Sequence, residues 1–373
     1  NNPEDMPRYL LLFGDGSYNN VLLTAANQNF IPTYQTANVL NPARSYGTDD
    51  YFGFLDDNEG EWTGDLVDIG IGRLPISTSE QANAAVNKIL NYDQTRLMSY
   101  TGSSCSVTGD SGLPDWRTHV LFASDDQEGE SFESTIHLGQ SETLAQRVVN
   151  EHPRYNVDKV YLDAYQQITT PGGERYPQAN ADLQAAVEKG LLLVNYIGHG
   201  GEVGWAHERF LDNTTILGWT NGDRLPLFMT ATCEFARWDD PSRTSAGEYV
   251  FLNPNGGGIA LMTTTRLAYS IQNFNLGNYF YDHVFQTTEE LGRTQCLGDI
   301  YRRTKRDIAS HDSNSFNHMN FCLLGDPSMR LAIPRNNINI TSITDTLGND
   351  VDTLKALATV RVRGFVDDAT GSP

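Results

Sequence analysis

Two side chains could carry covalent chemistry, and each stands where an apolar run stops. Leu191-Leu-Leu-Val-Asn-Tyr-Ile-Gly leads into His199-Gly-Gly, and Leu225-Pro-Leu-Phe-Met-Thr-Ala-Thr leads into Cys233-Glu-Phe. A thiol attacks only as thiolate, and near neutral pH it needs a base beside it, for which imidazole is the usual partner. Each residue alone has a plainer reading. A strand-end cysteine is commonly a small buried hydrophobe, and a histidine among glycines a hydrogen-bonding loop residue. Two such endings in tandem favour a Cys233–His199 dyad. The glycines allow close backbone approach, and the Gly200 and Cys233 amides are the natural donors to an oxyanion formed by attack.

Short apolar runs bounded by Gly or Pro read as buried parallel strands. In an open α/β sheet, chemistry collects beyond the carboxyl ends of such strands. The 34 residues from His199 to Cys233 leave room for one crossover. Further strands are expected at 8–13, 67–72, 119–124, around 159–162 and at 256–265. Between them, Ser77-x-x-Glu80 reads as a capping box opening a helix whose apolar face is Ala82, Ala85, Val86, Ile89 and Leu90. Other helices are expected from about Ser141 and over 181–189, capped by Asn180 and stopped at Gly190. This order implies right-handed crossovers and an α/β fold with mostly parallel sheets. The 119–124 run ends on Asp125-Asp126. A carboxylate that accepts from the second imidazole nitrogen would fix the tautomer of a catalytic histidine. Asp126 is the candidate and Asp125 the runner-up, although both also read as capping or solvated acids.

Composition narrows the function. At 373 residues with a formal charge of −21, the chain lacks the basic face that nucleic-acid binding requires. No apolar run approaches the 18 residues or so of a membrane span. The opening Asn1-Asn-Pro reads as the start of an excised piece, so a missing leader carries no weight. Cysteines 105, 233, 296 and 322 make no metal spacing and no dense disulfide framework. Cys322 reads as core and Cys105 as an ordinary surface or paired thiol. The acids from Asp49 to Glu59 could hold calcium through oxygen ligands or form a solvated turn. The polar stretch 101–112 marks a boundary, giving one subdomain over 1–102 and a second over 103–335. The basic helix 297–309 is expected to show a solvated face. Residues 336–373 alternate apolar and polar, the pattern of half-buried antiparallel strands, and look like the start of an immunoglobulin-like β domain.

Asn195-Tyr-Ile-Gly-His199-Gly and Ala231-Thr-Cys233 resemble the catalytic strands of gingipain-type cysteine peptidases, a caspase-like clan. The resemblance extends through Leu10-Leu-Leu-Phe-Gly-Asp-Gly-Ser17, Thr48-Asp-Asp-Tyr-Phe-Gly-Phe-Leu-Asp56, Gly70-Ile-Gly-Arg-Leu-Pro75 and Leu324-Gly-Asp-Pro-Ser-Met-Arg330. The Gly-Asp-Gly-Ser and Thr-Asp-Asp-Tyr-Phe-Gly segments are similar, more narrowly, to PorU-type sortases of type IX secretion. The strand at 256–265 ends at the same crevice, which its trailing Arg266 and Tyr269 are expected to face. The resemblance implies two side-by-side caspase-like subdomains, an acid at Asp126, and an aromatic pocket wall at Tyr269. Glu234 and Trp205 are further candidates for substrate contact. No cofactor is implied for catalysis, while structural calcium is. The carboxylate that holds a basic substrate side chain in arginine-specific gingipains falls near His137, where none is evident. The implied activity is removal of C-terminal secretion signals from protein cargo at the cell surface or outer membrane of a Gram-negative bacterium. Transfer of the new end to lipopolysaccharide would follow, with outer-membrane secretion proteins as partners. A secreted endopeptidase and a non-catalytic scaffold of the secretion machinery are the competing readings.

Overall fold

The computed structural model describes residues 6–21, 29–36, 41–60, 62–97, 115–127, 132–288, 293–313, 315–334 and 336–368. The sheet strands are β1 (Tyr9–Phe13), β2 (Gly70–Leu74), β3 (His119–Ser124), β4 (Asn156–Tyr161), β5 (Leu193–Ile197), β6 (Leu227–Ala231), β7 (Ala260–Thr264) and β8 (Phe321–Leu324). They form one eight-stranded sheet in the order β1-β2-β8-β7-β6-β5-β3-β4. Every pairing is parallel except β7 with β8. The sheet is therefore two parallel halves of opposite direction, joined at that seam. The expected 102/103 boundary lies outside the described residues, as does Cys105.

Both faces of the sheet are covered, which is why its strands read as continuous apolar runs rather than alternating ones. In β5, Leu193 and Ile197 enter one core while Val194 and Tyr196 enter the other, the two-residue alternation of an extended chain. The first core is closed by α2 (Phe132–Glu151), α6 (Ser270–His283) and α7 (Leu297–His311). The second is closed by α1 (Ser79–Leu97), α3 (Pro177–Lys189), α4 (Asn213–Gly218) and α5 (Ala246–Leu252).

Helix starts differ from expectation at three places. The box at α1 is Thr78 with Gln81 rather than Ser77 with Glu80. The Gln81 amide donates to Thr78 Oγ1 (3.2 Å), and Gln81 Oε1 takes the Thr78 and Ser77 amides (3.2 and 2.8 Å). Helix α2 begins well before Ser141. Helix α3 begins at Pro177, whose missing N–H has no intrahelical partner to lose at that position.

Charges thought to be solvated are buried in pairs. Arg73 is fully buried and clamps Asp49 (Nε–Oδ2 2.9 Å, Nη2–Oδ1 2.7 Å). It also donates to the Gly14 carbonyl at 3.0 Å and lies 3.8 Å over the Trp238 ring. Lys305, expected on a solvated face of α7, is buried against Asp50 at 2.6 Å, and Tyr301 also donates to Asp50. Two acids expected to hold calcium or face solvent are thus neutralised by protein cations. Asp56, Glu59 and Asp68 form a separate, partly exposed group. Cys322 is buried as expected, and Cys233, Cys296 and Cys322 are free thiols. Strands β9 (Asn336–Thr344) and β10 (Arg361–Asp368) pair antiparallel as a separate hairpin.

Removing one partner of a buried ion pair leaves the other charge uncompensated, at about 3–5 kcal/mol. Arg73→Leu should lower the unfolding free energy by that order in a denaturant titration. The Asp49→Leu/Arg73→Leu double variant should lose less than the sum of the single ones, and strict additivity would contradict the pairing.

Candidate active site

Strands β3, β5, β6 and β7 run the same way, so their carboxyl ends share one edge of the sheet. Neighbours β5 and β6 are in register from Leu193↔Leu227 to Ile197↔Ala231, and the chain leaves them as Gly198-His199 and Thr232-Cys233. Both side chains line a cavity of ≈ 360 Å³ together with His137, Tyr269, Ser270, Gln272 and Asn273. The residues after β7 close its far wall.

His199 is held mainly by its backbone. Its amide donates to Asp125 Oδ2 (2.8 Å), and its carbonyl accepts from the Ala206 amide (2.9 Å) and the Tyr196 hydroxyl (2.7 Å). Tyr196 in turn stacks on Trp205, with ring centroids 4.2 Å apart. Gly198 is required here, since a Cβ would lie 2.5 Å from both Asp125 Cβ and the Tyr196 hydroxyl. The imidazole meets His137 edge to face (4.9 Å) and stacks on His207 (5.6 Å).

The Cys233 thiol lies against the Ala268 backbone: Sγ accepts from the amide at 3.4 Å, and the S–H faces the carbonyl oxygen at 3.6 Å. Among the described residues it makes no hydrogen bond to the His199 imidazole. Burial pushes the thiol pKa up, the Ala268 amide pulls it down, and the Glu234 carboxylate pushes it up again. The Cys233 amide has no hydrogen-bond partner among the described residues. The Ala206-to-His199 bond makes Gly200 and Trp205 a non-hydrogen-bonded pair, which turns the Gly200 amide away from that neighbour. Gly200 packs directly over Thr232, whose Oγ1 a Cβ would meet at 2.5 Å. Glu234 follows in the left-handed region (φ 50°), an uncommon conformation for a side chain of this size.

Three expectations about neighbouring residues need correction. Asp126 does not reach His199; its Oδ2 accepts from the Tyr176 hydroxyl at 2.8 Å. Asp125 is the carboxylate beside the histidine, because its own amide still pairs with Ile197 O (3.2 Å) and keeps it at the end of β5. Trp205 is fully buried and cannot touch a substrate, but it positions His199 through Tyr196. Arg266 does not face the cavity, being buried in a pair with Asp239 (2.8 Å). Glu234 directs its carboxylate to Arg237 (3.4 Å), whereas Tyr269 lines the cavity and is 43% exposed. Sequence reasoning passed over Ala268, which carries no chemical signal, and noted His137 only as the place of an absent acid. No carboxylate lines this cavity among the described residues.

The model of peptidase family C25 matches residues 1–332. The crystal structure of the Arg-specific cysteine proteinase gingipain R superposes with a TM-score of 0.61 at 16% identity, covering 90% of this chain and 67% of that one. The complex of pro- and mature domains of RgpB from Porphyromonas gingivalis gives 0.61 and 16%, with 96% and 79% covered. Dimeric latent PorU from Porphyromonas gingivalis gives 0.42 and 20%, over 98% of this chain and 27% of that one. At this identity the likeness to the two gingipain structures concerns the fold. No curated protein matches. The family match spans the whole sheet and both strand ends of the cavity, and the chain belongs to peptidase family C25, the gingipain family of cysteine peptidases.

Proposed function

We propose that Cys233 and His199 are the catalytic dyad, and that the chain is the peptidase part of a type IX secretion sortase that removes C-terminal signals from exported cargo. The observation that carries the dyad is the cavity at the ends of β5 and β6, which holds both side chains beside a Cys233 amide that has no hydrogen-bond partner among the described residues. Motif resemblance at Gly14-Asp-Gly-Ser17 and Thr48-Asp-Asp-Tyr-Phe-Gly53 supports the narrower role. So does a cavity wall whose described residues offer His137, Ser270, Gln272 and Asn273 instead of an acid, so that none of them can pair directly with an Arg or Lys side chain.

In this reading the resting thiol leaves the Ala268 carbonyl and passes its proton to His199. The thiolate attacks the scissile carbonyl carbon, and the Cys233 and Gly200 amides receive the oxyanion. The C–N bond breaks as the imidazolium returns the proton to the departing amine, leaving a thioester on Sγ. Water, or an amine of a lipopolysaccharide acceptor, then attacks the thioester while His199 takes its proton. The first outcome is hydrolysis, the second transfer. Asp125 acts as a positioning residue, holding the backbone from which the imidazole projects. The implied place of action is the outer membrane or cell surface, beside secretion partners. No described helix is long and apolar enough to cross a membrane.

The decisive test is mass spectrometry of a cargo protein carrying its C-terminal signal, incubated with an amine acceptor. An amine-bearing product seen only with Cys233 intact supports the sortase reading. A free carboxylate product in every acceptor condition would instead make the chain a gingipain-like endopeptidase. Cys233→Ala should yield no product, and His199→Ala should lower kcat by about 10²–10⁴. A charged hydrogen bond of about 1.5–3 kcal/mol supports the histidine backbone, so Asp125→Asn should reduce kcat/KM roughly ten- to hundredfold, and more than Asp126→Asn. A larger loss from Asp126→Asn would reverse the assignment. Because Glu234 opposes the thiolate, Glu234→Gln should move the pH midpoint of iodoacetamide alkylation at Cys233 downward; an unchanged or higher midpoint would show that its charge is not felt there.

A further inference from the structure

Asp125, His137 and His199 converge from three elements: the end of β3, helix α2 and the turn after β5. One carboxylate oxygen and one nitrogen from each ring all lie within 4.8 Å of one another. Two imidazoles with one carboxylate are the donor set of borderline cations of the zinc class, whereas calcium and magnesium favour oxygen alone. The carboxylate is fixed beforehand, since Oδ1 accepts the Asp126 amide (3.1 Å) and Oδ2 the His199 amide (2.8 Å). Asp126 and Glu208 add two more buried carboxylates beside Asp125, a local negative charge that a cation would offset. His137 is only 5% exposed, yet it and His199 both line the cavity, so an ion entering there meets both rings. Zinc bonds of about 2 Å place neighbouring ligand atoms roughly 3.3 Å apart. The donors therefore need to close by about 1.5 Å at most, a movement within the reach of side-chain rotation.

We propose that Asp125, His137 and His199 form a binding site for a zinc-class divalent cation, whose occupancy takes the His199 lone pair out of catalysis. His137 and His199 line the same cavity as Cys233. The inhibitory half rests on the proposed role of His199; the binding half does not.

The test is therefore a binding measurement on the full chain carrying Cys233→Ala, which keeps the three donors and removes the thiol. Calorimetric titration with Zn²⁺ should show one equivalent bound, with affinity falling at least thirtyfold when His137→Gln is added. Loading the Cys233→Ala protein with Co²⁺ should give two hyperfine-shifted imidazole N–H protons by NMR, a readout that needs no second substitution to fold. Absence of stoichiometric binding, equal affinity with and without His137, or fewer than two shifted imidazole protons would each overturn the site. Peptidase activity of the wild-type protein is measured separately, so a failed metal site leaves the dyad standing, and an inactive enzyme leaves the metal result readable.

Discussion

The burial of Arg73 is the constraint to which the rest of the structure conforms. A guanidinium cannot be left dry and unpaired, so the chain brings Asp49, the Gly14 carbonyl and the Trp238 ring to it from three separate segments. Trp238 belongs to the loop that follows Cys233. The next residue, Asp239, holds Arg266, and the Arg266 carbonyl accepts the Glu234 amide. A continuous series of polar contacts thus links β2 to the residue after the proposed nucleophile. Asp50 with Lys305 repeats the device a short distance away. Polar groups inside a core restrict the arrangements the chain can adopt, because most alternatives would strand a charge.

The cavity inherits its rigidity from this arrangement and its chemistry from strand direction. His199 is gripped by backbone contacts on both sides, with Tyr196 and Trp205 stacked beneath it. The cysteine is differently placed, because its thiol rests on the Ala268 backbone and burial favours the protonated form. The proposed base is held and the proposed nucleophile is stored. Such an arrangement suits a peptidase whose thiolate is formed only when the cavity is filled.

Much of this was legible in the sequence because it depends on local pattern. The apolar runs, the glycines around His199 and the strand-end position of Cys233 follow from short-range rules, and the structure places both residues where those rules put them. What escaped depends on contacts distant along the chain or on where a pairing happens to stop. Asp125 and Asp126 are neighbours of one type, and only the extra hydrogen bond to Ile197 decides which lies beside the histidine. Lys305 looked solvated because its partner, Asp50, is far away in sequence. Trp205 looked available to substrate because sequence shows a tryptophan near the site without showing which way it packs. The capping box at α1 shifted by one residue because Ser77-x-x-Glu80 and Thr78-x-x-Gln81 satisfy the same rule.

The antiparallel seam between β7 and β8 has a kinetic consequence. Strands β1 and β2 are made early, yet the inner neighbour of β2 is β8, which ends at Leu324. Until those residues leave the ribosome, β2 has no partner on its inner side and presents an unpaired edge. The pairing that finally covers it spans about 250 residues, a loop whose closure entropy must be met before the contact returns any stabilisation. The β1–β2 pair and the β7-β6-β5-β3-β4 group can each assemble from nearer contacts, so β8, the last strand of this sheet to be synthesised, is the one that makes them a single cooperative unit.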